Sequence, residues 1–149
     1  MFQEWDAFQP LFSGPSKSSS PAGCPKEAKQ ALQDFCTLLS HVYMSGGDVR
    51  FLDRLPASDP IKEEITLDLK YLSRNGRYQQ MDLHKQTIDS ESAPAADACT
   101  FEAKEYWIVR YLDLQRRALE EKPTVMVTSW RYILRKTAAG WEVVSMEPM

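Results

Sequence analysis

In the carboxy-terminal third of the chain, apolar and polar side chains alternate with a period of two. Trp107, Val109 and Tyr111 repeat this way within "FEAKEYWIVRYLDL" (101–114), as do Trp130, Tyr132 and Leu134 within "PTVMVTSWRYILRK" (123–136). Such spacing puts each trio on one face of an extended strand. A short glycine-containing turn, Thr137 to Gly140, then leads into "WEVVSMEPM" (141–149), predicting a third consecutive strand.

Upstream the period changes. Ala28, Leu32, Phe35, Leu39 and Val42 recur at alternating spacings of four and three, the stripe of an amphipathic helix that opens near Pro25 and stops at Gly46-Gly47. A short helical turn over 49–55 is closed by Pro56, and Asp59-Pro60 supplies a cap and a first-turn proline for another helix. The stretch 60–76 carries two patterns. Ile61, Ile65, Leu69 and Leu72 fit a helix, whereas Ile65, Leu67, Leu69 and Tyr71 fit a strand running into the hairpin signal Asn75-Gly76. The Asp-Pro opening, the charged Lys62-Glu63-Glu64 and the stop at Gly76 select the helix, with the hairpin as the alternative. Arg77 to Ile88 reads as a strand, and "DSESAPAADA" (89–98) as a surface loop. Helices followed by four strands predict an α+β domain in which helices pack on a curved antiparallel sheet.

Residues 1–24 differ from the rest. Phe2, Trp5, Phe8 and Phe12 precede the linker "SGPSKSSSPAG", so the chain divides into an aromatic peptide with a flexible linker (1–24) and one α+β domain (25–149). Burying each aromatic gains roughly 1.5–3 kcal/mol, so Phe2, Trp5 and Phe8 are expected to dock on their own domain or on a partner.

A length of 149 residues suits one domain, and 43% hydrophobic with 26% charged residues is ordinary for a globular chain. A net charge of -3 gives no basic excess for phosphate neutralisation, so nucleic-acid binding is not expected despite Arg116-Arg117. No uninterrupted apolar run of about 18 residues is present, and the acidic opening "MFQEWDAFQP" does not read as a secretory signal. Cys24, Cys36 and Cys99 lack metal-ligand spacing and read as idle thiols of a reducing compartment, cytoplasmic if the chain is full length.

The sharpest catalytic candidate is Asp82 with His84, at i and i+2 on one strand face shared by Tyr78, Gln80 and Gln86: a base, an orienting carboxylate and a hydroxyl. A plain solvent-facing polar strand explains the same pattern. His41 stands beside the apolar stripe of the first helix, and neither histidine has a second metal ligand at a recognisable spacing. No metal or cofactor is expected. Bulky groups occupy both faces of the long strands, Tyr106, Ile108 and Leu112 against Trp107, Val109 and Tyr111. Either both faces are covered or one meets another protein. Trp107, Tyr111, Trp130 and Tyr132, with Arg110 and Arg131 as polar anchors, form the candidate binding surface, since Trp, Tyr and Arg dominate interface hot spots. Core packing is the competing account of the tryptophans.

The helical stretch 25–74, the strands "EYWIVRYLDL" and "SWRYILRK", and the terminal "GWEVVSMEP" resemble the nuclear transport factor 2-like (SnoaL-like) superfamily, cone-shaped α+β domains whose helices cover the concave face of a bent sheet. Within it, "LSRNGRYQQMDLHKQTIDSES" and the strand after it are similar to the intermembrane-space domain of plastid-division proteins and their cyanobacterial relatives, over 60–147. The first helix departs from that pattern in lacking a tryptophan-centred start. The resemblance implies a scaffold used for small enzymes, ligand pockets and non-catalytic binding or dimerising modules. The residues favour a module that binds a protein or peptide, a second copy included. The alternative is a small SnoaL-like enzyme or small-molecule pocket built on Asp82 and His84.

Overall fold

A computed structural model describes residues 23–149, so the expected docking of Phe2, Trp5 and Phe8 lies outside the described residues. Helix α1 (Lys26–Ser45) follows Pro25, α2 (Val49–Arg54) is one short turn, and α3 spans Asp59–Arg74. The sheet comprises β1 (Tyr78–Ala95), β2 (Ala98–Leu112), β3 (Thr124–Thr137) and β4 (Gly140–Pro148), antiparallel in the order β1-β2-β3-β4. Helices therefore pack on a curved antiparallel sheet, as the change of period predicts.

The two readings of 60–76 are resolved in favour of helix. Ile61, Ile65, Leu69 and Leu72 are buried, while Leu67 and Tyr71 of the competing strand pattern are exposed. Tertiary burial selects the period that places four aliphatic groups on one side. The expected loop over 89–98 is corrected: β1 continues to Ala95, and only Ala96-Asp97 turn the chain before β2. Three irregularities interrupt the β1–β2 register, at Leu83/Lys85, Ile88/Ser90 and Ser92/Ala95. His84 and Asp89 are each extra residues against β2, as the register steps from Leu83↔Trp107 to Lys85↔Tyr106 and from Ile88↔Ala103 to Ser90↔Glu102. Each extra residue reverses which parity faces the helices.

The core lies between α1, α3 and the inner face of the sheet. Leu32, Phe35, Leu39 and Val42 of α1 meet Phe101, Ala103, Trp107 and Val109 of β2 and Leu134 of β3 in one apolar cluster. The free edge of β4 is partly covered by the α2–α3 connection, where Ser58 N donates to Val143 O (2.9 Å) and Val143 N to Pro56 O (2.8 Å).

Helix α1 ends as its glycines predict. Gly46 has φ +77°, and the N–H groups of Gly46 and Gly47 return to Tyr43 O and Val42 O. A Cβ at Gly46 would meet the Tyr78 ring at 2.8 Å, so this position requires glycine for both its backbone and its neighbour. Gly46→Ala is therefore expected to lower stability by about 1–2 kcal/mol, read from chemical denaturation. An unchanged midpoint would show that α1 terminates by other means.

Candidate functional site

The middle of the cone holds a carboxylate. β2 points Phe101, Ala103, Glu105, Trp107 and Val109 at the helices, so Glu105 occupies an inward position in a row of apolar groups. Burying a bare carboxylate is costly, and its oxygens are supplied with donors from three strands. Trp107 Nε1 donates to Oε1 at 2.8 Å, while Tyr132 OH and Gln86 Nε2 donate to Oε2 at 2.7 and 2.8 Å. Gln86 Nε2 also faces Cys36 Sγ of α1 at 3.6 Å. Burial pushes the Glu105 carboxyl above its ordinary 4.5, and the bonds from Tyr132, Trp107 and Gln86 pull part of the way back. Burial likewise raises Tyr132 and Cys36 well above their ordinary values, which keeps both neutral.

This cluster corrects two expectations. Trp107 and Tyr132 are core residues rather than parts of an exposed surface, because their polar ends are needed at Glu105. Gln86 is fully buried rather than sharing a face with Asp82, because the extra residue at His84 reverses the alternation. Asp82 and His84 themselves are exposed. Tyr78 lies apart from both, with the Arg116 guanidinium 4.0 Å from its ring centroid. The three residues therefore do not converge on the cone.

The remaining candidates divide between the two faces. Tyr111 and Trp130 are half-buried against the core, Tyr111 beneath Arg77 (5.6 Å) and Trp130 beside Tyr132 (6.5 Å) with its Nε1 donating to Thr128 Oγ1 at 3.0 Å. Arg110 and Arg131 lie on the opposite, outer face, where Arg131 pairs with Glu102 at 2.9 Å. Cross-strand pairs Ile108↔Val125 and Tyr106↔Val127 share that outer face. Tyr106 sits between Lys85 and Lys104, whose ammonium groups are 5.6 and 5.7 Å from the ring centroid. Val125 and Val127 are 63% and 52% exposed.

Two concavities lie elsewhere. A pocket of about 90 Å³ at one end of the sheet is bounded by Tyr43, Ser45, Arg77, Tyr78 and Gln79, and a more open groove of about 460 Å³ runs along α3 between Asp59 and Lys70. Neither is lined by Glu105. Among the described residues no cluster of His, Cys, Asp and Glu has the arrangement of a metal site, and no helix is long and apolar enough to cross a membrane.

Sequence reasoning passed over Glu105 and Gln86. A signal for Glu105 was present: it shares the parity of Trp107 and Val109, so a strict reading of that alternation places a carboxylate inside. Gln86 carried none, since its orientation depends on an irregularity that pairing alone reveals.

A helix-covered, bent four-stranded sheet defines the class of protein. Comparison with family models and with curated protein sequences finds no match. Solved structures do match. The intermembrane space region of the chloroplast protein ARC6 is similar with a TM-score of 0.71 and 16% identity, over 87% of this chain and 98% of that one. A candidate aromatic ring hydroxylase from Novosphingobium aromaticivorans gives 0.54 at 16% identity, over 85% and 96%. A Catenulispora acidiphila protein in complex with S-DNPA gives 0.51 at 16% identity, over 80% and 90%. The likeness is one of fold, and at that level both resemblances read from the sequence are borne out.

Glu105 provides a pH test with a definite sign. A carboxyl whose folded pKa exceeds its unfolded value favours folding fully below the unfolded value, and that contribution is lost as pH rises through the folded one. Relative to Glu105→Gln, the natural chain should therefore lose stability as pH climbs from acid values through and above the ordinary 4.5 of the group. Denaturation of both chains across that range checks it, and a difference that is flat or opposite in slope refutes the assignment. Glu105→Leu, which strands three buried donors, should cost about 3 kcal/mol or more.

Proposed function

We propose that this chain is a non-catalytic protein- or peptide-binding module, a second copy of the chain being one such partner, and that it binds through the outer face of β2 and β3. The observation that carries the reading is the filled cone. Where a ligand would enter, Phe35, Gln86, Glu105 and Tyr132 are fully buried against one another, and both carboxylate oxygens of Glu105 are occupied by protein donors. A general base must reach a substrate in a closed site, and the exposed Asp82 and His84 have no such enclosure.

Exposed valines of β3 and half-buried apolar groups of β2 lie together on the outer face. Ile108, Val125 and Val127 surround Tyr106 on the outer face, with Arg110 and Arg131 on the same side as polar anchors, while Tyr111 and Trp130 border the inner face. An apolar centre with arginines around it suits a protein interface better than a small ligand.

The alternative, a small-molecule pocket, draws on the space beside Tyr43 and Tyr78 and on the neighbour solved with S-DNPA. Size weighs against it. About 90 Å³ falls well short of the roughly 300 Å³ at which ligand sites begin.

Site-specific photo-crosslinking tests the proposal. A photoreactive phenylalanine analogue at Ile108 should yield a discrete protein adduct in the native cell, and the same analogue at Leu67 on α3 should not. Val127→Asp, a change at an exposed position expected to alter stability by no more than about 1 kcal/mol, should cut the Ile108 adduct at least tenfold. Equal adducts at both positions, or none at Ile108, would reject the outer face as the binding surface.

A further inference from the structure

The domain opens beside β1, an edge strand of the sheet. Cys24 N donates to Glu91 Oε1 at 2.9 Å and Cys24 Sγ to Ser92 O at 3.3 Å, which fixes the point from which residues 1–22 depart. Ser92 stands opposite Thr100 near the start of β2. Thr100 and Tyr106 share the outer face of β2, and the six residue steps between them cover about 20 Å at about 3.4 Å per residue. Eleven residues, "SGPSKSSSPAG" (13–23), separate the aromatic peptide from Cys24. A chain of that length and composition spans about 18 Å as a coil and about 36–40 Å at full extension. The peptide can therefore reach the patch around Tyr106 with Cys24 held where it is.

Its chemistry fits that patch. Glu4 and Asp6 flank Trp5 in a row with Phe2, Phe8 and Phe12, and residues 1–12 contain no Lys, Arg or His. On the outer face Ile108, Val125 and Val127 surround Tyr106, and the ammonium groups of Lys85 and Lys104 lie against its ring. Of the acids on that face, Glu102 is engaged by Arg131 and Ser90, and Asp82 stands opposite Ile108, beyond Tyr106 as seen from Cys24. The groove along α3 is a poorer match, because Asp59 and Glu63 line it beside its lysines.

We propose that residues 1–12 dock on the outer face of β2 and β3 of their own chain, with aromatic rings on Tyr106, Val125 and Val127 and carboxylates towards Lys85 and Lys104. The domain then carries its own competitor for the partner. This rests on the outer face being the binding surface and adds what occupies it when no partner is bound. A tether whose coil length matches the distance to its site holds the peptide at an effective concentration of about millimolar. An affinity too weak to matter between separate molecules therefore suffices within one, and a partner binds only by displacing the peptide.

The test uses the purified full chain with the photoreactive phenylalanine analogue at Ile108, irradiated alone and digested with trypsin. A product joining residues 1–17 to residues 105–110 should dominate, and the analogue at Leu67 should give none. In an equal mixture of nitrogen-15 and unlabelled chains, the two halves of each product should carry the same label. Trp5→Ala should cut the product about tenfold. Glu4→Lys with Asp6→Lys, which alters charge and leaves the aromatics in place, should also reduce it, and both variants should raise the partner adduct in the native cell. No product containing residues 1–17, equal products at Ile108 and Leu67, or products of mixed label would each overturn the proposal, the last by assigning the peptide to a second copy. A partner adduct at Ile108 without the internal product removes self-docking and leaves the binding face standing, whereas loss of both removes both.

Discussion

A carboxylate placed where water cannot reach must be given donors, and meeting that requirement at Glu105 organises the middle of this protein. The donors come from Gln86 on β1, Trp107 on β2 and Tyr132 on β3, while Cys36 of α1 closes over Gln86. One buried carboxyl group thus ties three adjacent strands to the covering helix. Each of these polar groups fits at one strand register only, because moving a strand by one residue would turn its donor outward.

The same requirement explains the irregularities of β1. A regular strand from Tyr78 to Ala95 would hold one parity inward throughout, placing Leu83 and Lys85 inside and Gln86 outside. The extra residue at His84 turns Gln86 and Ile88 inward, and the one at Asp89 restores the first parity so that Glu91 meets Lys29 and Cys24. Irregular pairing here serves to bring particular side chains to the helices, while Asp82 and His84 stay in solvent, where the first parity already places them.

Filling the cone with its own side chains has a functional corollary. A scaffold whose concave side is closed must interact through its edges and its convex side, and in this chain the exposed valines, Ile108 and Tyr106 lie on the convex side. Likeness in fold to the ARC6 intermembrane space region and to a protein solved with S-DNPA covers proteins of more than one kind, so the residues inside and outside the cone carry the functional reading.

Much of the fold was legible in the chain because local periodicity reports it directly. The stripe of Leu32, Phe35, Leu39 and Val42, the glycines ending α1, the Asp-Pro opening of α3 and the alternation around Trp107 and Tyr132 are properties of neighbouring residues, and they sufficed for helices packed on an antiparallel sheet. What tertiary structure alone decided is where each polar side chain ends up. Periodicity groups Trp107 with Tyr111 and Trp130 with Tyr132, but it does not say which end of each pair is sealed by α1. Nor does it register the extra residues of β1, since an irregularity exists only relative to the partner strand. The meeting of Gln86, Glu105 and Tyr132 joins positions far apart in sequence, and it exists only in the folded chain, where a buried carboxyl needs donors.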